Sequence, residues 1–492
     1  MASSTDRPAA GSGGITADRL AVLIGRDTLH APLNASLATN IRAMVSDGRL
    51  PVGSRLPAER ELATALGLSR VTVSTAYRRL REQGWAGAHQ GSGTWTRTPD
   101  GGRVVAAWVP GVPLEGQLDL SYTAPSGPPE VAEAYATALT MLPRHLPGHG
   151  YAPQGLPELR ERLAARFTAR GLPTSVEQVV VTLGAAGGIT AALRALTDPG
   201  DRVLVEHPVW PNALDVLGVL RTRAVPVPLD PERTAEFVAA LHRAARQTSA
   251  RAAYLVPDFS NPTGAVLDVE DRRHLAASLQ QQDVTVLADE TLTDLPLEGQ
   301  EVPPPLAAFA RPGAVVTVGS LSKAVWAGVR TGWVRGEAPF LARVASAMSR
   351  EHGSLSIVDQ LAACALLDGL DDALVRRRAE LRTQRDALVA ALAARLPEWR
   401  VPVPDGGLSL WCHLPPGTSS SLLADAAEPL GLRIATGSRF GTGHAFDDRL
   451  RLPFTQPVPV LERAVELLVA ARDAAAAGHG RRPAPREAVL LG

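Results

Sequence analysis

Lys323 is the one lysine in a chain of 492 residues whose lysines and arginines together number fifty. A guanidinium stays protonated under ordinary conditions, whereas a desolvated ammonium can lose its proton and become a nucleophile. A sequence that uses arginine for every other fixed side-chain cation marks this position for amine chemistry. Lys323 lies in VTVGSLSKAVWAGVRTGW, directly after an apolar run. A strand end there would project the amine into a cleft at the edge of a sheet. In that place it can condense with a carbonyl to form a Schiff base, the bond that holds pyridoxal phosphate.

Such a cofactor makes further demands on the sequence. An acid must face the pyridine nitrogen, and Asp289 ends the apolar run VTVLAD. Asn261 in SNPTG is a candidate donor to the ring's phenolic oxygen. In TLGAAGG a strand, a glycine turn and a helix start follow one another. That order would offer the amides of Ala185 and Ala186 to a phosphate. Ser320, Ser322 and Arg330 flank the lysine and would finish the nest. Trp210 in EHPVW is a flat partner for the ring, and Arg451 in RLRLPF suits a ligand carboxylate. Each match has a plainer alternative: SNPTG can be only a turn, Asp289 a strand-end cap, Trp210 a core residue. Their occurrence together favours one shared site.

A second constellation lies near the front, in SRLPAERELATALGLSRVTVSTAYRRLREQGWAGAHQGSGTWT. Glu59 and Glu61 follow Pro57 in a first helical turn, where the helix dipole favours anions. Leu62, Ala65 and Leu66 give that helix an apolar face, and Gly67 permits a tight turn. Ser69 caps a second helix with apolar positions at Val71, Val73, Ala76, Tyr77 and Leu80. Arg70, Thr72 and Ser74 then project where a recognition helix meets base edges and phosphates. Residues 85–96 suit a small β-wing, and Tyr77 and Trp85 suit packing. Seven arginines and three glutamates between Arg55 and Arg97 leave a local charge of +4 in a chain of formal net charge zero. Phosphate binding needs such a patch.

These constellations require two kinds of element, and the chain divides accordingly. Residues 1–30 are expected to be a flexible leader, 31–96 a helix-rich DNA-binding domain, and 97–118 a Pro- and Gly-rich linker. Residues 119–475 alternate apolar β-branched runs with Ala/Leu/Arg helical segments, and 476–492 are expected to be a flexible tail. The runs at 179–182, 202–206, 252–257, 284–289 and 314–319 predict buried strands of a mostly parallel α/β sheet. Two cysteines, Cys364 and Cys412, are too few for a disulfide framework and lack metal-ligand spacing. The first twenty residues have no signal-peptide order, and no run approaches the roughly 18 apolar residues of a membrane span. A cytoplasmic protein without metal is expected.

The run LPAERELA, GLSRVTV, AYRRLREQGW and HQGSGT resembles the winged helix-turn-helix of the GntR superfamily. That resemblance implies DNA contacts at Arg55, Arg60, Ser69, Arg70 and Thr72, with Gln90 and Gly91 at the wing tip. The order YAPQGLPELR, TLGAAGG, PGDRVLVEHPVW, SNPTG, LADE, SLSK and Arg330 resembles the fold-type-I aminotransferases, with a smaller C-terminal α+β domain. Together they resemble a MocR-type regulator over residues 35–475. The resemblance implies pyridoxal phosphate bound covalently at Lys323. It also implies a head-to-tail homodimer in which each DNA-binding domain packs on the partner's large domain. One departure stands out: that family usually carries a tyrosine two or three residues after the pyridine-facing aspartate, and here Thr291 and Leu292 stand there. Three functions follow for test: a transcription regulator acting at a double-stranded operator and sensing pyridoxal phosphate, or an amino acid or amine that reacts with it; a working aminotransferase; or a DNA-binding dimer with a decayed site.

Overall fold

A computed structural model of the chain describes residues 14–25, 29, 32–46, 50–51, 53–89, 93–97, 116–352, 354–442 and 445–477. Its first helix, α1 (Ala17–Ile24), begins at Thr16, whose hydroxyl accepts from the Arg19 amide. Leu20 and Ile24, four residues apart and so on one face, are wholly buried against the winged-helix core. This part of the expected leader is therefore ordered structure. Helix α2 (Leu33–Ser46) buries Leu37, Ile41 and Val45. Helix α3 (Glu59–Leu66) ends at Gly67, which takes the left-handed conformation (φ 62°) that a side chain would disfavour. The Ser69 hydroxyl accepts from Thr72 N at 3.0 Å and starts α4 (Arg70–Glu82).

Two details of the helical faces differ from the sequence reading. Val71 is 74 % exposed, because positions two apart on a helix face nearly opposite ways and Val73 takes the buried side. For the same reason Ala63, not Ala65, is buried with Leu62 and Leu66. The wing is the antiparallel pair β1 (Ala86–His89) and β2 (Gly93–Thr96). Arg55 bridges to Trp95, and the Ile15 amide donates to the Arg55 carbonyl.

The rest of the described chain builds a large and a small domain. It opens with β3 (Leu118–Leu120), α5 (Glu130–Met141), α6 (Pro157–Ala169) and β4 (Val179–Leu183). Next come α7 (Gly184–Leu196), β5 (Arg202–His207), α8 (Pro211–Val219), β6 (Arg223–Pro228) and α9 (Thr234–Thr248). The middle of the large domain is β7 (Ala252–Leu255), α10 (Val269–Gln280), β8 (Thr285–Asp289), β9 (Val315–Ser320) and the short α11 (Leu321–Ala324). Then β10 (Thr331–Arg335), α12 (Ala338–His352), α13 (Ile357–Asp368) and α14 (Leu370–Arg395) lead out of it. The small domain adds β11 (Ser409–His413), α15 (Ser420–Ala427), β12 (Leu432–Thr436), β13 (Arg449–Pro453) and α16 (Val458–Ala477).

The seven-stranded sheet has the order β4-β10-β9-β8-β7-β5-β6, parallel except for β10, which runs against both neighbours. Side chains alternate between two cores: Ala253, Leu255, Val286 and Ala288 enter one, while Ala252, Tyr254 and Leu287 enter the other with α7, α8 and α12. Burial on both faces explains why these strands read as continuous apolar runs. The small domain has a four-stranded sheet, β11-β13-β12-β3, in which β3, at the start of the chain's C-terminal part, pairs in parallel with β12. Helix α2 meets α15 of the same chain, with Arg42 2.8 Å from Asp425. Among the described residues no helix is long and apolar enough to cross a membrane, and no cluster of His, Cys, Asp and Glu could hold a metal ion.

Candidate functional site

Strand ends, helix starts and loops bring the residues expected to bind the cofactor to one cavity of about 300 Å³. Asp289 ends β8, Ser320 ends β9, and Lys323 follows in α11. These three line the cavity with Ser322, Arg330 and Asn261. Ala185, Ala186 and Trp210 line it from the starts of α7 and α8. The Ser320 hydroxyl accepts from Ser322 N at 3.1 Å and caps the turn that carries the lysine.

Lys323 Nζ donates to the Thr123 carbonyl at 2.6 Å. Its pKa is pushed down to about 8, chiefly by burial and further by the Arg451 cation, against the pull of Asp289. An appreciable fraction of the amine is therefore free near neutral pH, as a nucleophile requires. Burial raises the Asp289 carboxyl from its ordinary range, opposed by hydrogen bonds from Tyr254 and Thr291. The Tyr254 hydroxyl donates to Asp289 Oδ2 at 2.7 Å and Thr291 N to Oδ1 at 3.1 Å. Sequence distance concealed Tyr254, which reaches Asp289 because β7 and β8 are neighbours. Thr291 and Leu292, which stand where the sequence resemblance led one to expect a tyrosine, both line the cavity.

Several features test whether a phosphorylated aromatic aldehyde fits. Helix α7 begins at Leu183 without a side-chain cap, so its first-turn amides remain available at the cavity wall. Glycine is required there twice: Gly184 has φ 63°, and a Cβ on Gly332 would lie 2.5 Å from the Gly184 carbonyl carbon. Asn261 Oδ1 and Asn212 Oδ1 are buried on the cavity wall with no hydrogen-bond partner. Buried polar atoms are normally satisfied, so these two are consistent with a polar ligand. The Asn261 loop is held by Glu206 on β5, whose carboxyl accepts from Val256 N at 2.5 Å and Ser260 Oγ at 2.6 Å. Burial pushes the Glu206 pKa up to about 8. Glu206 was not among the expected site residues, although its place in EHPVW with Trp210 was a signal.

Arg451 on β13 is 3 % exposed and close enough for its charge to act on Lys323, although it is not part of the cavity lining. Its guanidinium donates to the Ser121 carbonyl and lies 5.2 Å from the centroid of Phe440, while Nε has no partner. Burial and the nearby Arg439 push its pKa down, yet a guanidinium stays charged at neutral pH.

In the N-terminal domain Arg55, Arg60, Ser69 and Arg70 are exposed, and Thr72 is half-buried. The Ser69 and Thr72 hydroxyls are 2.8 Å apart at the start of α4. Arg70 faces Glu59 at a loose 3.9 Å, a contact that holds it weakly. Arg55 and Arg60 line an open groove with the first turn of α1. Gln90 and Gly91, the expected wing tip, lie outside the described residues, as does most of the expected linker, leader and tail.

Comparison with known proteins accounts for both parts. Residues 33–95 match the bacterial regulatory proteins of the gntR family, and residues 116–468 match aminotransferase class I and II. The HTH-type transcriptional regulator YdcR of Escherichia coli (strain K12) is 30 % identical, covering 83 % of this chain and 92 % of that protein. The probable rhizopine catabolism regulatory protein MocR of Rhizobium meliloti is 27 % identical over 85 % of this chain and 89 % of its own. Among solved structures, the α-aminoadipate aminotransferase LysN of Thermus thermophilus, complexed with N-(5'-phosphopyridoxyl)-L-leucine, is 25 % identical. It has a TM-score of 0.67 and covers 74 % of this chain and 94 % of its own. A gntR-family DNA-binding domain joined to an aminotransferase class I and II domain, over nearly the full length of such relatives, places the chain in the family of MocR-type regulators.

Proposed function

We propose that this regulator holds pyridoxal phosphate through Lys323 and changes its hold on DNA when an amino acid or amine reacts at the cofactor. The observation that carries the reading is the Lys323 amine, pushed down to about 8 in a cavity whose walls carry the unpartnered Asn261 and Asn212 oxygens. Bound pyridoxal phosphate supplies an aldehyde carbon that can pass between the lysine and the amine of a ligand.

The chain's own residues divide the work. Asp289 meets the ring nitrogen, Trp210 covers the ring face, and Asn261 contacts the phenolic oxygen. The amides of Ala185 and Ala186, with Ser320, Ser322 and Arg330, hold the phosphate. Arg451 takes the carboxylate of an amino-acid ligand after releasing the Ser121 carbonyl. Because Ser121 and Thr123 follow β3, which pairs with β12 of the small domain, that exchange reaches the sheet against which α15 packs, and α15 meets α2 of the winged helix through Asp425 and Arg42. In the winged helix, Arg55 and Arg60 bind phosphates, and Arg70 with Ser69 and Thr72 meets the major groove of a double-stranded operator. Gln90 and Gly91 belong to the wing. Two chains acting as a head-to-tail homodimer in the cytoplasm would present two such helices to a two-fold site.

The experiment combines a spectrum with a DNA measurement. Protein mixed with pyridoxal phosphate should turn yellow, select a specific duplex from a random pool, and change its affinity for that duplex on addition of one amino acid or amine from a panel. Failure to colour would end the cofactor reading. Brisk turnover of common amino acids without specific DNA binding would favour an aminotransferase instead. Thr291 and Leu292, in place of the tyrosine expected two or three residues after Asp289, count against that second reading.

A further inference from the structure

Asp289 is held from two sides inside the cavity wall. Its Oδ1 accepts the Thr291 amide at 3.1 Å and its Oδ2 accepts the Tyr254 hydroxyl at 2.7 Å. The amide bond comes from the turn just after Asp289 and fixes only one oxygen. The phenol comes from a different strand, and its ring is wholly buried among the apolar side chains of the sheet face that packs against α7 and α8. Tyr254 and Asp289 therefore form a pair fixed by the sheet rather than by the loop.

We propose that Tyr254 is a positioning residue for Asp289, its buried hydroxyl holding the carboxylate in the orientation that meets a pyridinium nitrogen in the cavity. The inference rests on the pyridoxal phosphate reading and adds a residue to it. With both oxygens held by donors, the carboxylate keeps a lone pair on each for the ring N–H. Donors to the charged form favour that form. With pyridoxal phosphate bound, a carboxylate held in its charged form would leave the shared proton on the ring nitrogen and keep the ring electron-withdrawing. The other ionisable groups facing the pair are Glu206 on β5 and Lys323 on α11, and Arg451 faces the lysine from β13. In this chain Thr291 and Leu292 stand at the two positions expected for a phenol near the cofactor's oxygen, while a phenol supports the acid proposed to meet the nitrogen.

The test uses the full chain with pyridoxal phosphate and follows the visible absorbance of the bound cofactor against pH. Removing the hydroxyl by Tyr254→Phe makes Asp289 more basic, shifts the shared proton from the ring, and makes the Schiff-base nitrogen at Lys323 harder to deprotonate. The midpoint should rise by about half a pH unit or more. In an Asp289→Asn background the same change should add nothing, because the hydroxyl acts through the carboxylate. A structural role alone would lower the melting temperature of both backgrounds and leave the midpoint where it was. Should Tyr254→Phe fail to fold, site-specific 3-fluorotyrosine at position 254, a stronger donor, should lower the midpoint. An unmoved midpoint in either replacement, or an equal shift with and without Asp289, overturns the inference. A wild type that never gains visible absorbance overturns the cofactor reading, and this inference with it.

Discussion

Lys323 Nζ and the Thr123 carbonyl lie 2.6 Å apart across two hundred residues of sequence. The bond ties the lysine amine to the segment that leaves β3, and β3 belongs to the small domain's sheet. The lysine proposed to hold the cofactor is thus itself held by the part of the chain that joins the two domains. Below a pH of about 8 each further unit should cut the free amine about tenfold. Capture of pyridoxal phosphate by the cofactor-free protein should therefore quicken with pH and level off above about 8. Stopped-flow absorbance measures this, and Lys323→Ala should abolish the borohydride-fixed adduct seen by mass spectrometry.

Arg451 is expected to discriminate ligands by their carboxylate. Arg451→Ala should weaken amino acids by about 1.5–3 kcal/mol, on the order of tenfold to a hundredfold, while leaving amines without a carboxylate little changed. Spectral titration of the coloured protein with matched pairs, such as an amino acid and its decarboxylated amine, separates the two. Equal losses in both would show that the residue supports the fold through Ser121 and Phe440 instead.

Arg60 and Arg70 should behave differently on DNA. Arg60→Ala should weaken binding to all duplexes alike and reduce the slope of log affinity against log salt by about one. Arg70→Ala should cost about 1–3 kcal/mol on the selected duplex and relax the preference at one position. Fluorescence anisotropy at several salt concentrations reads both effects.

The N-terminal segment should matter for stability. Leu20→Ala removes a wholly buried side chain and is expected to cost about 2–5 kcal/mol, seen as a lower melting temperature of the winged helix. The exposed neighbour Val22→Ala should change it by less than about 0.5 kcal/mol.

Glu206 provides a pH test with a definite sign. Its folded pKa, pushed up to about 8, lies above the unfolded value, so the folded state binds the extra proton between them. Stability from this group is present below the unfolded value and falls as pH rises through about 8. Glu206→Gln keeps an acceptor for Val256 N and should flatten that fall. Denaturant titration of both proteins from pH 6 to 9 would show the curves converging or crossing toward the alkaline end.

Local chemistry makes much of this protein legible in its sequence alone. A lone lysine after an apolar run, an aspartate at a strand end, a serine before a recognition helix and a glycine after its partner each declare themselves by type and spacing. The strands were readable because both faces are buried, which leaves unbroken apolar runs. What the tertiary structure decided is adjacency between strands and segments far apart in the chain. Tyr254 meets Asp289 only because β7 and β8 pair. Arg451 reaches Ser121 only because β13 joins the sheet that also contains β3. Helix α1 is held by a core built from residues between Leu37 and Ala86, while Val71 turns to solvent because a helix advances by about 100° per residue. Spacing along a chain fixes the face on which a side chain stands; which distant side chain it meets is set by how the elements pack.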